Sequence, residues 1–315
     1  MNIVIMGATS HIAKGLIDRF LHRGEDHVYL FSRSADKVQL FLDAIGRRGN
    51  DKYTICTDYR AFSSLSYDII INCVGVETRN KHNCDFTRYF TVTEEFDGLA
   101  IRYLQTRNPD ALYFSFSSGA VYGTGFSNPA DELSVNRIQV NHILPEHYYG
   151  IARINAEAKH RAHNSLRIID LRIFSYFSRY INLSDGYFIT DVMEAILENK
   201  LLITDSANIV RDYLHPEDLF AMIAKCIHAE KMNQAIDVKS SRPVSKQEIL
   251  DYFTSEYGLK YESRSFSENA SATGAKSNYY STCNRASQIG YVPQFSSMDT
   301  LNDEARCILS PKNEA

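Results

Sequence analysis

Residues 1–174 alternate short apolar runs with amphipathic stretches of helical length. Strands that alternate with helices pair in parallel through right-handed crossovers. Because Ile69, Ile70 and Ile71 are apolar in succession, we expect a sheet that is covered on both faces. The fold class is therefore α/β, a doubly wound parallel sheet of the Rossmann type. The predicted strands are 2–6, 28–32, 53–56, 68–72, 111–117 and 166–174, and the predicted helices are 10–23, 35–47, 86–107 and 148–164.

After residue 175 the regular alternation of predicted strands and helices changes. Ser245 and Glu248 form a capping-box pattern at the start of a helix, and Pro216 is typical of a first helical turn. We expect residues 175–315 to form mainly a smaller C-terminal substrate-binding lobe, with segments near 201–240 returning to the first domain. The elements predicted there are helices at 186–200, 216–229 and 245–257, strands at 201–204 and 235–239, an extended piece at 211–215 and a polar loop at 263–276.

Composition argues against several functional classes. The chain has 315 residues and a formal net charge of -4, without the basic surplus of nucleic-acid-binding proteins. No apolar run reaches the roughly 18 residues of a membrane span. The six cysteines are scattered, which predicts reduced thiols in a cytoplasmic protein. No His/Cys cluster has metal-ligand spacing, so we expect no metal, no nucleic acid and no membrane partner.

A glycine turn follows the first predicted strand. Gly7 opens the turn, and Ser10 and Ala13 stand where a glycine-rich dinucleotide pattern has further glycines. A strand, a tight turn and a helix N-terminus form a pyrophosphate site, because free N–H groups and the helix dipole face the phosphates. We expect a dinucleotide to contact Gly7, Thr9, Ser10, His11 and Ile12.

The end of the second strand bears on cofactor choice. Ser32 and Arg33 stand where an acidic residue would hold the ribose 2′-hydroxyl of NAD, and no carboxylate follows until Asp36. An arginine at this position can pair with a 2′-phosphate. The sequence therefore favours NADP(H) over NAD(H).

The segments quoted at the end of this paragraph carry a family resemblance. In this order they resemble the extended short-chain dehydrogenase/reductases, specifically the NAD-dependent epimerase/dehydratase family that modifies nucleotide sugars. The resemblance extends from Ile3 to about Pro293. The segments are Asp58-Tyr59, Asn72-Cys73-Val74-Gly75, Ser117-Ser118-Gly119-Ala120-Val121-Tyr122-Gly123, Tyr149-Gly150-Ile151-Ala152-Arg153 and Arg211-Asp212-Tyr213-Leu214-His215.

The resemblance implies a role for each matching residue. Ser118 would bond the reacting sugar oxygen, Tyr149 would transfer its proton, and Arg153 would supply the cation beside the phenol. Arg211 would bind the sugar-nucleotide phosphates, and Lys276 is a candidate for a second phosphate-binding cation. The other implied contacts are Arg33, Asp58, Tyr59, Cys73, Val74, Gly75, Tyr149 and Arg153 for the cofactor, and Ser118, Tyr122 and Ser175 for the substrate.

Arg153 departs from the family, which has lysine four residues after the catalytic tyrosine. Residues four apart share a helix face, so a cation still reaches Tyr149. A nearby cation favours phenolate. Arginine retains its proton, however, so Arg153 cannot itself shuttle protons.

The residues after Ser118 restrict the reaction. Dehydratases of this family need an acid–base pair there, and Gly119 and Ala120 transfer no protons. The sequence then favours NADPH-dependent reduction of a 4-keto nucleotide sugar, with 4-epimerisation as the alternative. A catalytically impaired sugar-nucleotide-binding protein is a further alternative, motivated by Arg153. Fold analogy predicts a homodimer through the helices at 86–107 and 148–164.

Overall fold

The computed structural model describes residues 1–49, 51–76, 85–265 and 276–310. The loop predicted at 263–276 falls mostly on 266–275, outside the described residues. The helices are α1 (His11–Arg23), α2 (Ala35–Ala44), α3 (Arg88–Thr106), α4 (Pro145–Ala162), α5 (Phe188–Leu197), α6 (Pro216–His228), α7 (Lys246–Tyr257) and α8 (Ser297–Leu309). The strands are β1 (Asn2–Met6), β2 (His27–Phe31), β3 (Tyr53–Cys56), β4 (Ile69–Asn72), β5 (Leu112–Ser118), β6 (Arg167–Ile173), β7 (Ser175–Tyr176), β8 (Leu201–Asp205), β9 (Val210–Arg211), β10 (Tyr213–Leu214), β11 (Asn233–Val238), β12 (Val244–Ser245), β13 (Lys260–Arg264) and β14 (Asn278–Tyr279).

The first strand shows why a continuous apolar run forms a buried strand here. Successive side chains of a strand point to opposite faces of the sheet. Ile3 and Ile5 join an apolar cluster that includes Leu16 of α1, while Val4 belongs to a second cluster with Ala100 of α3. Both faces of the sheet are therefore covered by helices, as the sequence predicts.

Among the described residues, seven parallel strands form the main sheet, in the order β11-β6-β5-β4-β1-β2-β3. This sheet confirms the predicted α/β fold of the Rossmann type. The strand order reverses between β1 and β4, since β2 and β3 lie on one side and β5 and β6 on the other. In such sheets ligands bind at this reversal, outside the carboxyl ends of the strands.

The second half of the chain contributes to two different parts of the structure. One apolar cluster joins the second half of the chain, including Val192 of α5, Phe253 of α7 and Leu301 of α8. Strand β11 instead pairs with β6 in the main sheet. The division at residue 174 stays a prediction. No helix in the described ranges combines the length and apolar character needed to cross a membrane.

Several element bounds differ from the sequence predictions. Helix α4 begins at Pro145 rather than near residue 148, because proline suits the first helical turn. The pairing of β13 with β8 and the helix α8 were not predicted. Ser296 and Asp299 form a capping box at the start of α8, and this local signal was missed.

Candidate active site

The turn after β1 brings the first and fourth strands into contact. Gly7 has φ +73°, in the left-handed region that glycine tolerates. A Cβ there would lie 2.9 Å from the carbonyl carbon and oxygen of Cys73, directly after β4. The turn and the close packing therefore both require glycine at position 7. A ligand bound here would contact backbone atoms with no side chain between.

The N-terminus of α1 supplies free donors beside this turn. The Oγ of Ser10 accepts a hydrogen bond from the N–H of Ala13 at 3.4 Å and caps the helix. The N–H groups of His11 and Ile12 have no acceptor within the described part of the chain. Free N–H groups at a helix N-terminus attract anions. The glycine cradle and these donors fit the pyrophosphate of a nicotinamide dinucleotide.

The side chain of His11 lies elsewhere. Its Nε2 is 2.8 Å from the Oγ of Ser178, and its ring makes an edge contact with Tyr176 at 4.8 Å. Burial lowers the pKa of His11 to about 4, so the ring is neutral near pH 7. Among the groups of His11, the backbone N–H is the one placed to meet a phosphate.

The ends of β2 and β3 lie next to the turn. Ser32 is buried, and its Oγ accepts the N–H of Ser34 at 3.2 Å. Arg33 is exposed, without an ion pair to any described carboxylate. Asp58 accepts two bonds from the Nε and Nη2 of Arg60, at 3.0 Å each, so its carboxylate already has a partner. Of the charged residues at the ends of β2 and β3, Arg33 is thus the one without an ion pair in the described ranges.

Tyr59 fills the space under the turn. Its hydroxyl donates to the carbonyl of Phe31 and accepts the N–H of Gly7, both at 3.3 Å. Burial raises the pKa of Tyr59 to about 12. Its ring also packs on Phe96 of α3 at 5.0 Å. Tyr59 therefore ties the end of β2 to the glycine turn.

The segment after β4 completes this group. Val74 donates its N–H to the Oδ1 of Asn72 at 3.0 Å, and Gly75 follows it at the edge of the described range. The structure therefore places the predicted cofactor residues Gly7, Tyr59, Cys73 and Val74 around one point, the reversal in strand order.

Ser118 and Tyr149 come from different elements that pack closely. Ser118 ends β5 and is buried, and its Oγ accepts the N–H of Ala120 at 3.2 Å. Helix α4 lies against the turn that follows, since a Cβ on Gly150 would lie 2.5 Å from the carbonyl oxygen of Ala120. Glycine at 150 thus allows the contact that brings the adjacent Tyr149 to the end of β5.

Arg153 lies one helical turn after Tyr149. Its guanidinium carbon is 5.2 Å from the centroid of the Tyr149 ring, and its Nε is buried without a partner in the described ranges. The neighbouring Tyr148 points toward α3, with its ring against Phe86 and Phe90. Tyr149 also makes an edge contact with Tyr89 of α3 at 5.4 Å, so the cation over its ring is what distinguishes it from Tyr148.

Tyr279 reaches the same place from the far end of the chain. Its hydroxyl oxygen is 3.0 Å from the Oγ of Ser118. Its ring packs on Phe126 at 4.9 Å and on Phe174 at 5.1 Å. Sequence reasoning missed Tyr279, because 161 residues separate it from Ser118 and no local pattern marks it.

Two cations flank Tyr279. The Nζ of Lys276 is 4.2 Å from its ring centroid and the guanidinium carbon of Arg211 is 5.8 Å away. Arg211 donates to the carbonyls of Val210 and Lys276, at 2.9 and 2.7 Å. Burial and the charge of Arg211 lower the pKa of Lys276 to about 8. Neither cation pairs with a described carboxylate, so together they form a site for an anion.

Two other predicted contacts face different partners. The hydroxyl of Tyr122 donates to Asp237 and accepts from Arg172, at 2.9 and 2.8 Å. Ser175 pairs through its backbone with Tyr213. The structure does not show either side chain bonded to Ser118 or Tyr149.

Two cavities are lined in part by residues that follow Ser118 in the chain. A cavity of about 550 Å³ is lined by residues that include Tyr122 and Asp237, whereas the space between Gly150 and Lys276 is about 10 Å³. No group of three or more potential metal ligands occurs within the described ranges. The side chains gathered around Ser118 are a phenol and two cations.

Solved structures share this architecture. UDP-glucuronic acid 4-epimerase from Bacillus cereus, in complex with UDP-glucuronic acid and NAD, has a TM-score of 0.77 and 16% identity, covering 98% of this chain and 99% of that chain. UDP-N-acetylglucosamine 4-epimerase from Methanobrevibacter ruminantium M1 gives 0.80 and 14%, covering 98% of each chain. dTDP-glucose 4,6-dehydratase from Bacillus anthracis, in complex with NAD, gives 0.76 and 14%, covering 98% and 96%.

Sequence comparison identifies the family. None of the curated proteins matches the chain. The family model described as "NAD dependent epimerase/dehydratase family" matches residues 3–238, about three quarters of the sequence. That match includes the glycine turn, Ser118, Tyr149 and Arg211. The chain belongs to the NAD dependent epimerase/dehydratase family.

Proposed function

We propose that this protein is a nucleotide-sugar 4-epimerase that uses a nicotinamide dinucleotide. The observation that carries the proposal is Tyr279, whose hydroxyl bonds Ser118 while Arg211 and Lys276 lie near its ring. The buried hydroxyl of Ser118, suited to a reacting sugar oxygen, is thus linked through Tyr279 to two cations suited to a diphosphate, the buried Lys276 and the half-buried Arg211. When bound, the dinucleotide supplies a hydride acceptor at carbon 4 of the sugar.

The chain's own residues account for the remaining steps. Tyr149 takes the proton of the 4-hydroxyl group while Ser118 bonds the same oxygen. The guanidinium of Arg153 lies over the Tyr149 ring, and its Nε has no partner in the described ranges. Once the sugar has turned, Tyr149 would return the proton to the 4-oxygen, and hydride would come from the bound dinucleotide to the opposite face of carbon 4, which gives the epimer. Arg211 and Lys276 anchor the diphosphate during this exchange, which leaves the sugar free to turn.

Epimerisation is favoured over dehydration by Gly119 and Ala120. Neither residue carries an acid or a base, although dehydration requires both next to the reacting carbon atoms. Two of the similar solved structures named above are 4-epimerases, and one of them holds NAD. These likenesses support retention of NAD and a UDP-linked sugar as substrate.

Reduction of a 4-keto sugar nucleotide by NADPH is the second candidate. One observation favours it, which is the exposed and uncommitted Arg33 at the end of β2. A guanidinium there suits the 2′-phosphate that distinguishes NADP(H). Under this proposal the cofactor is consumed and released rather than retained.

One experiment separates these candidates. Purified protein is incubated with UDP-glucose, UDP-glucuronic acid, UDP-N-acetylglucosamine or dTDP-glucose, with NAD or without it, and the sugars are separated by chromatography. An epimerase forms the 4-epimer with catalytic amounts of NAD. A reductase instead oxidises NADPH in proportion to an added 4-keto sugar. Binding of UDP without either conversion would show a catalytically impaired binding protein and overturn both proposals.

We also propose a homodimer formed through α3 and α4. These helices pack against each other on one face of the sheet and present neighbouring surfaces. Light scattering of the purified protein tests this assembly, and a monomeric mass at micromolar concentration would contradict it.

A further inference from the structure

The hydroxyl of Ser118 is held by two groups, and this arrangement determines where its proton points. A serine hydroxyl has one proton and two lone pairs. One lone pair accepts the N–H of Ala120 at 3.2 Å. The second partner is the phenol of Tyr279, whose oxygen lies at 3.0 Å.

The surroundings of Tyr279 favour donation from the phenol to the serine. Its ring is buried, and within the described part of the chain Ser118 is the one side chain that bonds its hydroxyl. The positive charges of Lys276 and Arg211 lie near the ring, at 4.2 and 5.8 Å from its centroid. Burial raises the pKa of Tyr279, so the phenol keeps its proton, and Ser118 is the side chain placed to accept it.

We propose that Tyr279 is a positioning residue that donates its phenol proton to Ser118 and thereby leaves the Ser118 proton free for the sugar oxygen. With both lone pairs of the serine occupied, its hydroxyl acts on the substrate as a donor. Hydrogen bonds in such a chain polarise one another. The inference rests on the proposed function, since it requires a reacting sugar at Ser118.

The arrangement also couples two parts of the site. The residues that flank Tyr279, Lys276 and Arg211, are the proposed diphosphate anchors. A diphosphate drawn to these cations would lie close to the ring that holds Ser118. Tyr279 thus connects the anchor to the reacting end of the sugar.

The substitution Tyr279→Phe tests the inference, because it removes the hydroxyl and keeps the ring that packs on Phe126 and Phe174. We expect kcat for the converted UDP-sugar to fall roughly tenfold, as for loss of one hydrogen bond. KM and the affinity for UDP, measured by calorimetry, are expected to stay within about twofold. Tyr280→Phe is the matched control, since it removes the neighbouring phenol hydroxyl, and it is expected to leave kcat unchanged.

A double-mutant cycle shows whether Tyr279 acts through Ser118. In a Ser118→Ala background, Tyr279→Phe is expected to have no further effect on kcat. An equal loss in both backgrounds would overturn the inference, as would wild-type kcat in Tyr279→Phe. A faster Tyr279→Phe enzyme would identify the phenol as an obstacle and also overturn it. If wild-type protein converts no sugar in the panel, the proposed function falls and the inference falls with it.

Discussion

The ring of Phe174 occupies the space that a side chain at position 119 would need. A Cβ built on Gly119 lies 2.4 Å from two carbons of this ring. Phe174 is itself held by Phe126 and Tyr279. Because the Phe174 ring fills this space, the packing leaves no room for an acidic side chain at position 119.

The first prediction follows from this contact. Gly119→Ala is expected to lower the free energy of unfolding by about 1 to 3 kcal/mol, because the added methyl group overpacks the site. Urea denaturation measures the loss. Gly98→Ala is the control, since Gly98 lies inside α3 with nothing within 4 Å of a Cβ, and it is expected to be neutral or slightly stabilising. Full stability of Gly119→Ala would show that Phe174 moves freely.

The second prediction concerns the proton-transfer residue. Tyr149→Phe is expected to lower kcat by about 100-fold or more, because it removes the general acid–base group. Arg153 lies over the Tyr149 ring while Tyr148 packs on Phe90, so Tyr148→Phe is expected to stay within about threefold of wild type. Conversion of a UDP-sugar, followed by chromatography, measures both variants. The reverse result would assign the role to Tyr148.

The third prediction is a pH dependence of UDP binding. The pKa of Lys276 is about 8 in the free protein, lowered by burial and by Arg211. A bound diphosphate favours the charged ammonium. Affinity is therefore expected to be highest below pH 8 and to fall as the pH rises through 8, because the free lysine then loses its proton.

Calorimetry at pH 7 and pH 9.5 measures this change. Lys276→Met is expected to bind UDP more weakly at pH 7 and with less pH dependence, since Arg211 stays charged throughout. Lys260→Met, which alters an exposed lysine of β13, is the control. An affinity that rises with pH in the wild-type protein would contradict this assignment of Lys276.

The fourth prediction concerns His160, a buried histidine of α4. His160 of α4 lies between Asp97 and Asp170, with Nε2 at 2.5 Å from Asp97 and Nδ1 at 2.8 Å from Asp170. Burial alone would lower its pKa, but the bonds to both carboxylates raise it to about 9. Lys159 also pairs with Asp97, and Arg161 pairs with Asp170 at 2.7 Å.

Because the pKa of His160 is raised above 6.5, its contribution to stability is complete below about pH 6.5. It is lost as the pH rises through about 9. Removal of one partner from a buried ion pair costs about 3 to 5 kcal/mol, and His160→Gln is expected to lose that much at pH 6. Urea denaturation at pH 6 and pH 9.5 measures both. The difference between His160→Gln and wild type is expected to shrink at pH 9.5, and an unchanged difference would contradict the charged state.

Several features of the site followed from local sequence. A strand that ends in Gly7 and leads into a capped helix predicted an anion site at that turn. The order of the segments around Ser118, Tyr149 and Arg211 predicted the family. Such features depend on neighbours in the chain, so their residue types carry the signal directly.

Other features depended on contacts between distant segments. The preference for NADP(H) stays a prediction, and the similar solved structures that name a cofactor name NAD. Tyr122 was predicted to contact substrate, yet its hydroxyl bonds Asp237, which lies 115 residues later.

The sequence by itself determined the alternation of strands and helices, the glycine turn and the family, because hydrophobic period and turn chemistry act over a few residues. Only the tertiary structure decided that Tyr279 lies against Ser118, that Lys276 joins Arg211, and that Phe174 fills the space beside Gly119. These contacts join segments 55 to 161 residues apart. No short pattern encodes such pairings, because they arise from tertiary packing between segments that are distant in the chain.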